Sequence, residues 1–265
     1  MTGPVPTAEF ASLVYGESGV ALDDPAELFH EASSLYAGVA PASFPAMVEL
    51  ARNPALQQTV ARASYSRSHL AGIELPQPNR RGASLDDALT SRGSRRPKAL
   101  EPLPLAVLAS ILAAAYRSTD GRRPVPSGGA LYPLEIYVTA LAVDAVESGV
   151  YHYDPYRHRL ARLGPAGRRQ VAQALVEPEL AEAGAALVVV TAMFWRSRFK
   201  YGLRGYRFSL LEAGHVVQNA VLAAASLDVP ALPLGGFYDG ELNALVGADG
   251  VDEASVYALL LGGGA

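Results

Sequence analysis

Apolar positions along the chain follow two different spacings, and each spacing predicts its own kind of element. In residues 103–117, LPLAVLASILAAAYR, the residues Leu108, Ile111 and Ala115 recur at helical spacing. Residues 186–194, ALVVVTAMF, are instead apolar throughout and rich in β-branched side chains, which is typical of a central strand buried on both faces. Helical and extended stretches are interspersed along the rest of the chain, so the pattern predicts an α+β sandwich built on a mixed sheet.

Cap and turn residues set the bounds of the other elements. A serine followed three residues later by an acid marks a helix start at Ser84 and again at Ser209, and the second signal predicts a long helix over residues 209–226. Asp24 before Pro25 predicts another helix start. The remaining predictions are helices over 26–36, over 45–52 or 53–64, over 84–92, over 168–184 and from 239, strands over 134–141 and 255–262, and a hairpin over 150–163.

A connector rich in proline and arginine, LPQPNRRGAS at residues 75–84, divides the chain. We expect residues 1–78 to form a mainly helical N-terminal extension and residues 79–265 to form the main domain. The first residues lack the pattern of a signal peptide, and the longest near-apolar run is too short to span a bilayer. We therefore expect a soluble cytoplasmic protein with no membrane partner.

Charge and cysteine content narrow the possible chemistry. The net charge of −4 argues against general binding to nucleic acid. The chain has no cysteine, which excludes disulfides, thiolate catalysis and cysteine-ligated metal sites. Its five histidines are scattered without the spacing of a metal site, so we expect no bound metal.

Three segments carry groups suited to a flat phosphorylated ligand. In RGSRR, two guanidinium groups and a hydroxyl alternate and can grip a phosphate, although a solvated basic loop has the same composition. The segments PSGG and LGG offer backbone N–H groups that no β-carbon shields, but plain turns have the same sequences. The residues concerned are Arg92, Gly93, Ser94 and Arg96, then Pro126, Ser127, Gly128 and Gly129, then Leu234, Gly235 and Gly236.

A lysine–tyrosine pair stands out because the chain has only two lysines, Lys98 and Lys200. Lys200 precedes Tyr201 and lies among clustered arginines. A partly desolvated lysine next to positive charge loses its proton more easily, and an adjacent tyrosine can share a proton relay. The pair is therefore a candidate acid–base group, with an ordinary surface loop as the alternative.

The order of these segments resembles that of the nitroreductase-fold flavoproteins. The matching stretches are RxSxR, RPVPSGGALYPLEIYV, GVYHYDP and KYGLRGYRFSLLEAGHVVQNAVLAAASLDVPALPLGGFYD. More narrowly, the chain resembles the SagB-type dehydrogenases, which are FMN-dependent azoline dehydrogenases that make thiazole and oxazole rings in modified peptides. The resemblance covers roughly residues 84–262, and LFHEASSLY near residue 30 is similar to the start of that family.

The resemblance implies a homodimer with a nitroreductase-like fold, in which helices pack on a mixed central sheet and FMN is bound. It implies that RGSRR holds the FMN phosphate, that PSGG lies against the flavin across the dimer interface, and that a backbone N–H of the LGG turn reaches flavin N5. It also implies that Lys200 and Tyr201 carry catalysis. One of them would take a ring proton while a hydride leaves for the flavin.

Two features depart from the family pattern. Members often have a basic residue after the last strand that helps to hold the phosphate, whereas this chain ends in LLLGGGA. We expect weaker FMN binding or compensation by Arg122 or Arg123. Gly93 stands where a basic residue is frequent, which matters little because the flanking Arg92 and Ser94 are present.

Other functions stay open beside azoline oxidation. One is an NAD(P)H-dependent nitro or quinone reductase of the same fold, and another is a flavin-less scaffold in a peptide-modifying complex, which the uncharged end favours. A lysine Schiff-base enzyme is disfavoured because it leaves the RxSxR segment unexplained. The expected substrate is a peptide or carrier-bound azoline, with a cyclase as a partner.

Overall fold

The computed structural model describes residues 24–38, 44–53, 55, 59, 67–79 and 83–263. Its helices are α1 Pro25–Ala32, α2 Phe44–Arg52, α3 Leu85–Ser91, α4 Leu105–Tyr116, α5 Arg168–Ala174, α6 Leu180–Ala183, α7 Phe194–Tyr201, α8 Arg204–Ser226 and α9 Asp239–Val246. Its strands are β1 Gly72–Glu74, β2 Leu134–Ala140, β3 Gly149–Asp154, β4 Arg159–Gly164, β5 Ala186–Met193, β6 Ala231–Leu234 and β7 Glu253–Leu261.

The seven strands form one sheet in the order β1-β4-β3-β2-β5-β7-β6. Every residue of β5 is buried, which confirms the prediction of a central apolar strand. All six strand pairs are antiparallel, so the expected mixed sheet is wrong. Whether two paired strands run parallel or antiparallel depends on which distant strands become neighbours. The spacing of apolar residues within one strand does not encode that choice.

Helices cover both faces of the sheet because the side chains of β2 and β5 alternate between two apolar cores. Ile136 and Val190 face the core formed with α4 and α8. Tyr137 and Val189, their neighbours in the chain, face the core formed with α5, α6 and α9. The molecule is therefore a three-layer α+β structure, as the sequence predicts apart from strand direction. Among the described residues, no helix has the length and apolarity needed to cross a bilayer.

Local capping signals are confirmed at two helices. The Asp24 carboxylate accepts from the N–H groups of Ala26 and Glu27 at the start of α1, and the Ser84 hydroxyl accepts from the Asp87 N–H at the start of α3. These bonds satisfy N–H groups that have no partner inside the helix. The predicted hairpin and the helix starting at residue 239 are also confirmed.

The predicted start of the long helix at Ser209 is wrong, because α8 begins at Arg204. The Ser209 hydroxyl donates to the Gly205 carbonyl at 3.1 Å, as serine does inside a helix. Lys200 and Tyr201 consequently end a helix, α7, instead of lying on a loop. Two other predicted helices are too long: α1 ends at Ala32, and the helix predicted over 168–184 is interrupted between α5 and α6.

Among the described residues, strand β1 and helix α1 both attach the N-terminal extension to the main domain. Strand β1 pairs with β4, so the sheet takes its edge strand from residues 72–74, ahead of the expected boundary at residue 78. Helix α1 docks on α8, where the Arg207 guanidinium donates to the Ser33 hydroxyl at 2.8 Å and to the His30 carbonyl. Phe29 packs edge-on against Tyr206. Arginine at the carbonyl end of a helix satisfies acceptors that the helix leaves open.

We predict that Arg207→Ala releases α1 without unfolding the sheet, because it removes charged hydrogen bonds worth about 1.5–3 kcal/mol each. Limited proteolysis after α1 should become at least about tenfold faster. Arg169→Ala, at an exposed arginine of α5, is the matched control. Equal cleavage rates in the two variants would contradict this docking.

Candidate active site

The PSGG loop and the Lys200–Tyr201 pair meet at Gly129. This glycine has a left-handed backbone, with φ +64°. A β-carbon at Gly129 would lie 2.8 Å from the Lys200 Nζ and 2.6 Å from the Tyr201 hydroxyl. An amine and a phenol are thus brought to one glycine, where only a residue without a side chain leaves them room.

Strand pairing is what brings these two segments together. Leu134, at the start of β2, pairs with Ala192, near the end of β5. The Met193 N–H then donates to the Pro133 carbonyl at 2.8 Å. The PSGG loop leads into β2 and α7 follows β5 directly, so both lie at the same end of the sheet.

A buried ion pair fixes α7 on this end of the sheet. The Arg196 guanidinium donates to the Glu135 carboxylate at 2.6 Å, and His152 Nε2 lies 2.7 Å from the other oxygen of that carboxylate. None of the three side chains is more than 1% exposed. Burial alone would raise the pKa of Glu135, but the His152 hydrogen bond and the Arg196 charge outweigh it and hold that pKa below its ordinary value.

Aromatic packing completes the contact around the loop. The rings of Tyr201 and Phe208 meet edge-on with centroids 5.0 Å apart. A β-carbon at Gly128 would lie 3.1 Å from the Phe208 ring, so α8 closes the loop from a second side. The Lys200 ammonium lies 5.2 Å from the centre of the Tyr201 ring and is half-buried.

A buried carboxyl that the sequence analysis missed lies behind the loop. Glu212 Oε1 accepts from the Tyr116 hydroxyl at 2.8 Å, and the Ser127 side chain lies beside the same carboxyl. Burial raises the pKa of Glu212 to about 7, although the Ser127 and Tyr116 hydroxyls and Arg123 act in the opposite direction. Its spacing from Ser209 suggested helix capping, and only the tertiary contact with α4 reveals its true position.

Arg123 is not placed to make the phosphate contact that the sequence analysis expects of Arg122 or Arg123. Its guanidinium is buried and lies 4.1 Å, 4.5 Å and 5.4 Å from the ring centres of Tyr116, Tyr132 and Tyr156. A cation enclosed by aromatic rings stabilises the loop instead of meeting a phosphate. Arg122, the other expected substitute, is exposed.

The RGSRR segment lies elsewhere, along the edge strand β6. The Arg95 N–H donates to the Ala231 carbonyl at 2.9 Å, and the Arg95 side chain bonds Asp228 at 2.7 Å. Arg96 forms an exposed ion pair with Glu177 at 2.7 Å. Arg92 and Ser94 are exposed, and Gly93 between them is half-buried. Two arginines and a serine thus remain at a surface where a phosphate has access.

The LGG turn is a neighbour of this segment. Leu234 is buried at the end of β6, while Gly235 and Gly236 are exposed. The Val176 N–H donates to the Gly236 carbonyl at 3.3 Å, and the next residue, Glu177, is the partner of Arg96. A β-carbon on Gly235 would meet nothing within 4 Å. The turn therefore leaves open space beside its backbone, and a flat ring fits such a space.

Within one chain, the RGSRR segment is far from the PSGG loop and from Lys200 and Tyr201. Strands β5 and β7 separate β2 from β6, which corresponds to about 14 Å across the sheet at about 4.8 Å per strand. Across the sheet, Ala231 of β6 pairs with Leu261, Leu261 pairs with Ala186, and Ala186 pairs with Ala140. The Ala231 end of β6 therefore lies level with Ala140. Leu134, which follows the PSGG loop, is therefore displaced by about 20 Å along the strands at about 3.3 Å per residue. Leu234 of the LGG turn is level with Tyr137, so this turn is separated from the PSGG loop mainly across the sheet.

The family model for the "Nitroreductase family" matches residues 89–263. The chain belongs to the nitroreductase family. Members of this family are generally flavin oxidoreductases that bind FMN. The exposed arginines of RGSRR and the open glycines of LGG fit such a cofactor, since they offer donors for a phosphate and room for a ring.

Two relatives carry names that indicate different functions, a nitroreductase and a peptide-processing protein. The chain is 38% identical over 177 residues to MJ1384 of Methanocaldococcus jannaschii, a protein with a provisional nitroreductase name, with 66% of this chain and 89% of that protein aligned. It is 30% identical over 156 residues to the microcin B17-processing protein McbC of Escherichia coli, with 56% of this chain and 57% of McbC aligned.

Solved structures support the fold. A protein of Ralstonia eutropha JMP134 with a provisional nitroreductase name superposes with a TM-score of 0.63 at 26% identity, covering 76% of this chain and 93% of that one. A chain of the E. coli microcin synthetase McbBCD complex, solved with truncated pro-MccB17 bound, gives a TM-score of 0.58 at 23% identity. That match covers 100% of this chain and 84% of the other.

We predict that Gly129→Ala displaces Lys200 and Tyr201, because the new methyl group would occupy the position they surround. Gly121→Ala is the matched control, since Gly121 also has a positive φ, +77°, but meets nothing within 4 Å. Both variants should lose about 1–2 kcal/mol of stability from the strained backbone.

Only Gly129→Ala should alter the rate at which Lys200 reacts with an amine-labelling reagent, measured by mass spectrometry with Lys98 as the internal reference. An unchanged Lys200 rate in Gly129→Ala would show that the lysine is not held at this glycine.

Proposed function

We propose that the protein is an FMN-dependent oxidoreductase that oxidises azoline rings to thiazoles or oxazoles in a peptide natural product. The observation that carries this proposal is the placement of Lys200 and Tyr201 at Gly129 of the PSGG loop. A proton-transfer pair at a loop of this kind suits the removal of a proton from a ring carbon. The similarity to McbC, a microcin-processing protein, favours a peptide substrate.

FMN, when bound, supplies the acceptor for the hydride that this oxidation releases. The other half of the reaction falls to the protein. An azoline loses one proton and one hydride on becoming an azole, and the proton leaves a carbon acidified by its imine and carbonyl neighbours. Lys200 or Tyr201 takes that proton. Arg92, Ser94 and Arg96 would hold the phosphate, Ser127–Gly129 and Leu234–Gly236 would offer backbone donors to the ring, and Pro126 would pack beside it.

The site takes one group of residues from each of two copies of this chain. The distance between RGSRR and PSGG within one copy supports this arrangement. Apolar side chains left exposed on α3 and α8 support it as well, namely Leu85, Leu89, Leu210 and Leu211. Between these helices lies a groove of about 630 Å³ lined by residues such as Ala114 and Leu222. This surface joins α3, which leads into RGSRR, to α8, which packs on the PSGG loop.

A second candidate is an NAD(P)H-dependent nitro or quinone reductase, which the similarity to MJ1384 over 89% of that protein favours. It predicts fast bleaching of the flavin on anaerobic mixing with NADH or NADPH. The azoline oxidase predicts no such bleaching and instead the loss of two hydrogen atoms from an azoline-bearing peptide. A flavin-less scaffold in a peptide-modifying complex predicts a colourless protein.

The proposal is tested by an absorption spectrum of the purified protein, with the released cofactor identified by mass. We expect FMN at about one per chain. A colourless protein that takes up no added FMN would overturn the proposal.

We predict that Lys200→Ala keeps its FMN and slows azoline oxidation by about 10²–10⁴-fold, the usual cost of removing a general base. Lys98→Ala, at the other lysine of the chain, is the control and should leave the rate unchanged. Loss of FMN from Lys200→Ala would instead make this lysine a cofactor contact.

A further inference from the structure

A buried carboxyl on α8 packs against α4 and the PSGG loop. The Glu212 side chain, on α8, is only 2% exposed. Its carboxyl accepts from the Tyr116 hydroxyl of α4 at 2.8 Å, and the Ser127 side chain lies beside it. The Ser127 hydroxyl accepts from the Tyr132 N–H at 2.9 Å, and the Tyr116 ring packs edge-on against Tyr132 with centroids 6.4 Å apart. The turn that contains Gly128 and Gly129 therefore meets this carboxyl through Ser127 and through Tyr116.

This carboxyl has no part in the proton transfer proposed above, and its burial needs another explanation. Removing a carboxyl from water is costly unless its oxygens find donors. An apolar residue at this position of α8 would pack on α4 with no such cost. Ser127 is two residues from Gly129, so a change at Glu212 is transmitted directly to the place where Lys200 and Tyr201 meet the loop.

We propose that Glu212 is a positioning residue for Ser127–Gly129, whose buried carboxyl holds this segment in its docked conformation against α7 and α8. This inference rests on the proposed function only where it says that the docked loop contacts the flavin. The docking of the loop by Glu212 is a property of the chain without cofactor.

The charged and titratable groups around Glu212 and the loop come from four parts of the molecule. Tyr116 is contributed by α4, Arg123 and Ser127 by the loop, and Glu135 of β2 acts on both Tyr116 and Arg123. From α7, Lys200 lies at Gly129. Burial raises the pKa of Tyr116 well above its ordinary value, so this residue stays a neutral donor.

The sign of the pH effect follows from the burial of Glu212. The pKa is about 7 with the loop docked and returns toward the ordinary 4.5 when opening admits water. The docked loop therefore binds the Glu212 proton more tightly than the open loop does. This stabilisation is fully present below about pH 4.5 and is lost as the pH rises through about 7.

Hydrogen exchange of residues 122–132, measured by mass spectrometry on the flavin-free protein, tests the inference. After correction for intrinsic exchange rates, the wild type should open at least about tenfold more at pH 8.5 than at pH 5.5, since one pKa unit corresponds to tenfold. Glu212→Gln, which keeps the shape but cannot ionise, should show no such difference. Glu241→Gln, at an exposed glutamate of α9, should behave like the wild type.

A second variant decides the matter if Glu212→Gln does not fold. Tyr116→Phe removes one donor to the carboxylate, so it should raise the pKa of Glu212 further and move the opening transition to higher pH. Opening that is independent of pH in the wild type, or an unshifted transition in Tyr116→Phe, would overturn the proposal.

Added FMN separates this inference from the function proposed above. If the segment contacts the flavin, FMN should slow exchange of residues 122–132 in the wild type. A pH-dependent segment that FMN does not protect would support the positioning role of Glu212 and contradict the assignment of the loop to the flavin. A segment that FMN protects but that does not respond to pH would contradict the positioning role alone.

Discussion

The buried ion pair between Arg196 and Glu135 is the interaction on which the geometry of this site depends. It joins the helix that ends in Lys200 to the strand that follows the PSGG loop, and His152 of β3 holds the same carboxylate. Removing one partner of a buried pair leaves an uncompensated charge and typically costs about 3–5 kcal/mol. Such a pair tolerates little displacement, so α7 cannot slide along the sheet without breaking it. The distance between Lys200 and Gly129 follows from that restriction.

A second buried carboxyl, that of Glu212, lies at the same end of the sheet, and its pKa is shifted in the opposite direction. Glu135 faces a permanent cation and has a lowered pKa, whereas Glu212 faces mainly neutral hydroxyl groups and has a raised one. The first carboxyl gives a connection that does not respond to pH near neutrality. The second gives a connection that does. Glu135 anchors the helix that ends in Lys200, whereas Glu212 lies behind the PSGG loop, so the two parts of the candidate site are next to carboxyls with opposite pKa shifts.

The separation between RGSRR and PSGG is a consequence of the sheet topology. Strand β6 lies at one edge, and the loop before β2 lies three strands away at the other end. Loops at opposite ends of a rigid sheet cannot be brought together by side-chain movement. We therefore propose that a single ligand bound by both segments is held between two copies of the chain, with the exposed apolar faces of α3 and α8 as the contact surface.

Sequence reasoning succeeded where the signal is local. Ser84 and Asp24 cap their helices as predicted because a cap depends on residues three positions apart. The same pattern failed at Ser209, where a serine and a glutamate inside a helix have the spacing of a capping box. The resemblance named Lys200 and Tyr201 and the PSGG loop only as separate segments, and the structure adds that the pair lies at Gly129 and ends a helix.

Long-range partners were beyond the reach of the sequence. Arg196 and Glu135 are 61 positions apart, and Tyr116 and Glu212 are 96 apart. No local spacing connects such pairs, because they become neighbours only once the strands have paired. The direction of the strands was missed for the same reason. The segments that carry the candidate chemistry could therefore be predicted one by one from the sequence. The buried carboxyls next to them, Glu135 and Glu212, could be recognised only in the structure.

The most direct test of a site shared between two copies is the FMN content of a mixed dimer. One copy would have Arg92→Ala with Arg96→Ala, the other Gly128→Asp, and the mixed dimer would be purified through two different affinity tags. Each variant alone should dimerise without FMN. In the mixed dimer, one site combines both defects and the other has none, so our account predicts one FMN per two chains. A mixed dimer without FMN would contradict it, because each copy would then build its site from its own residues alone.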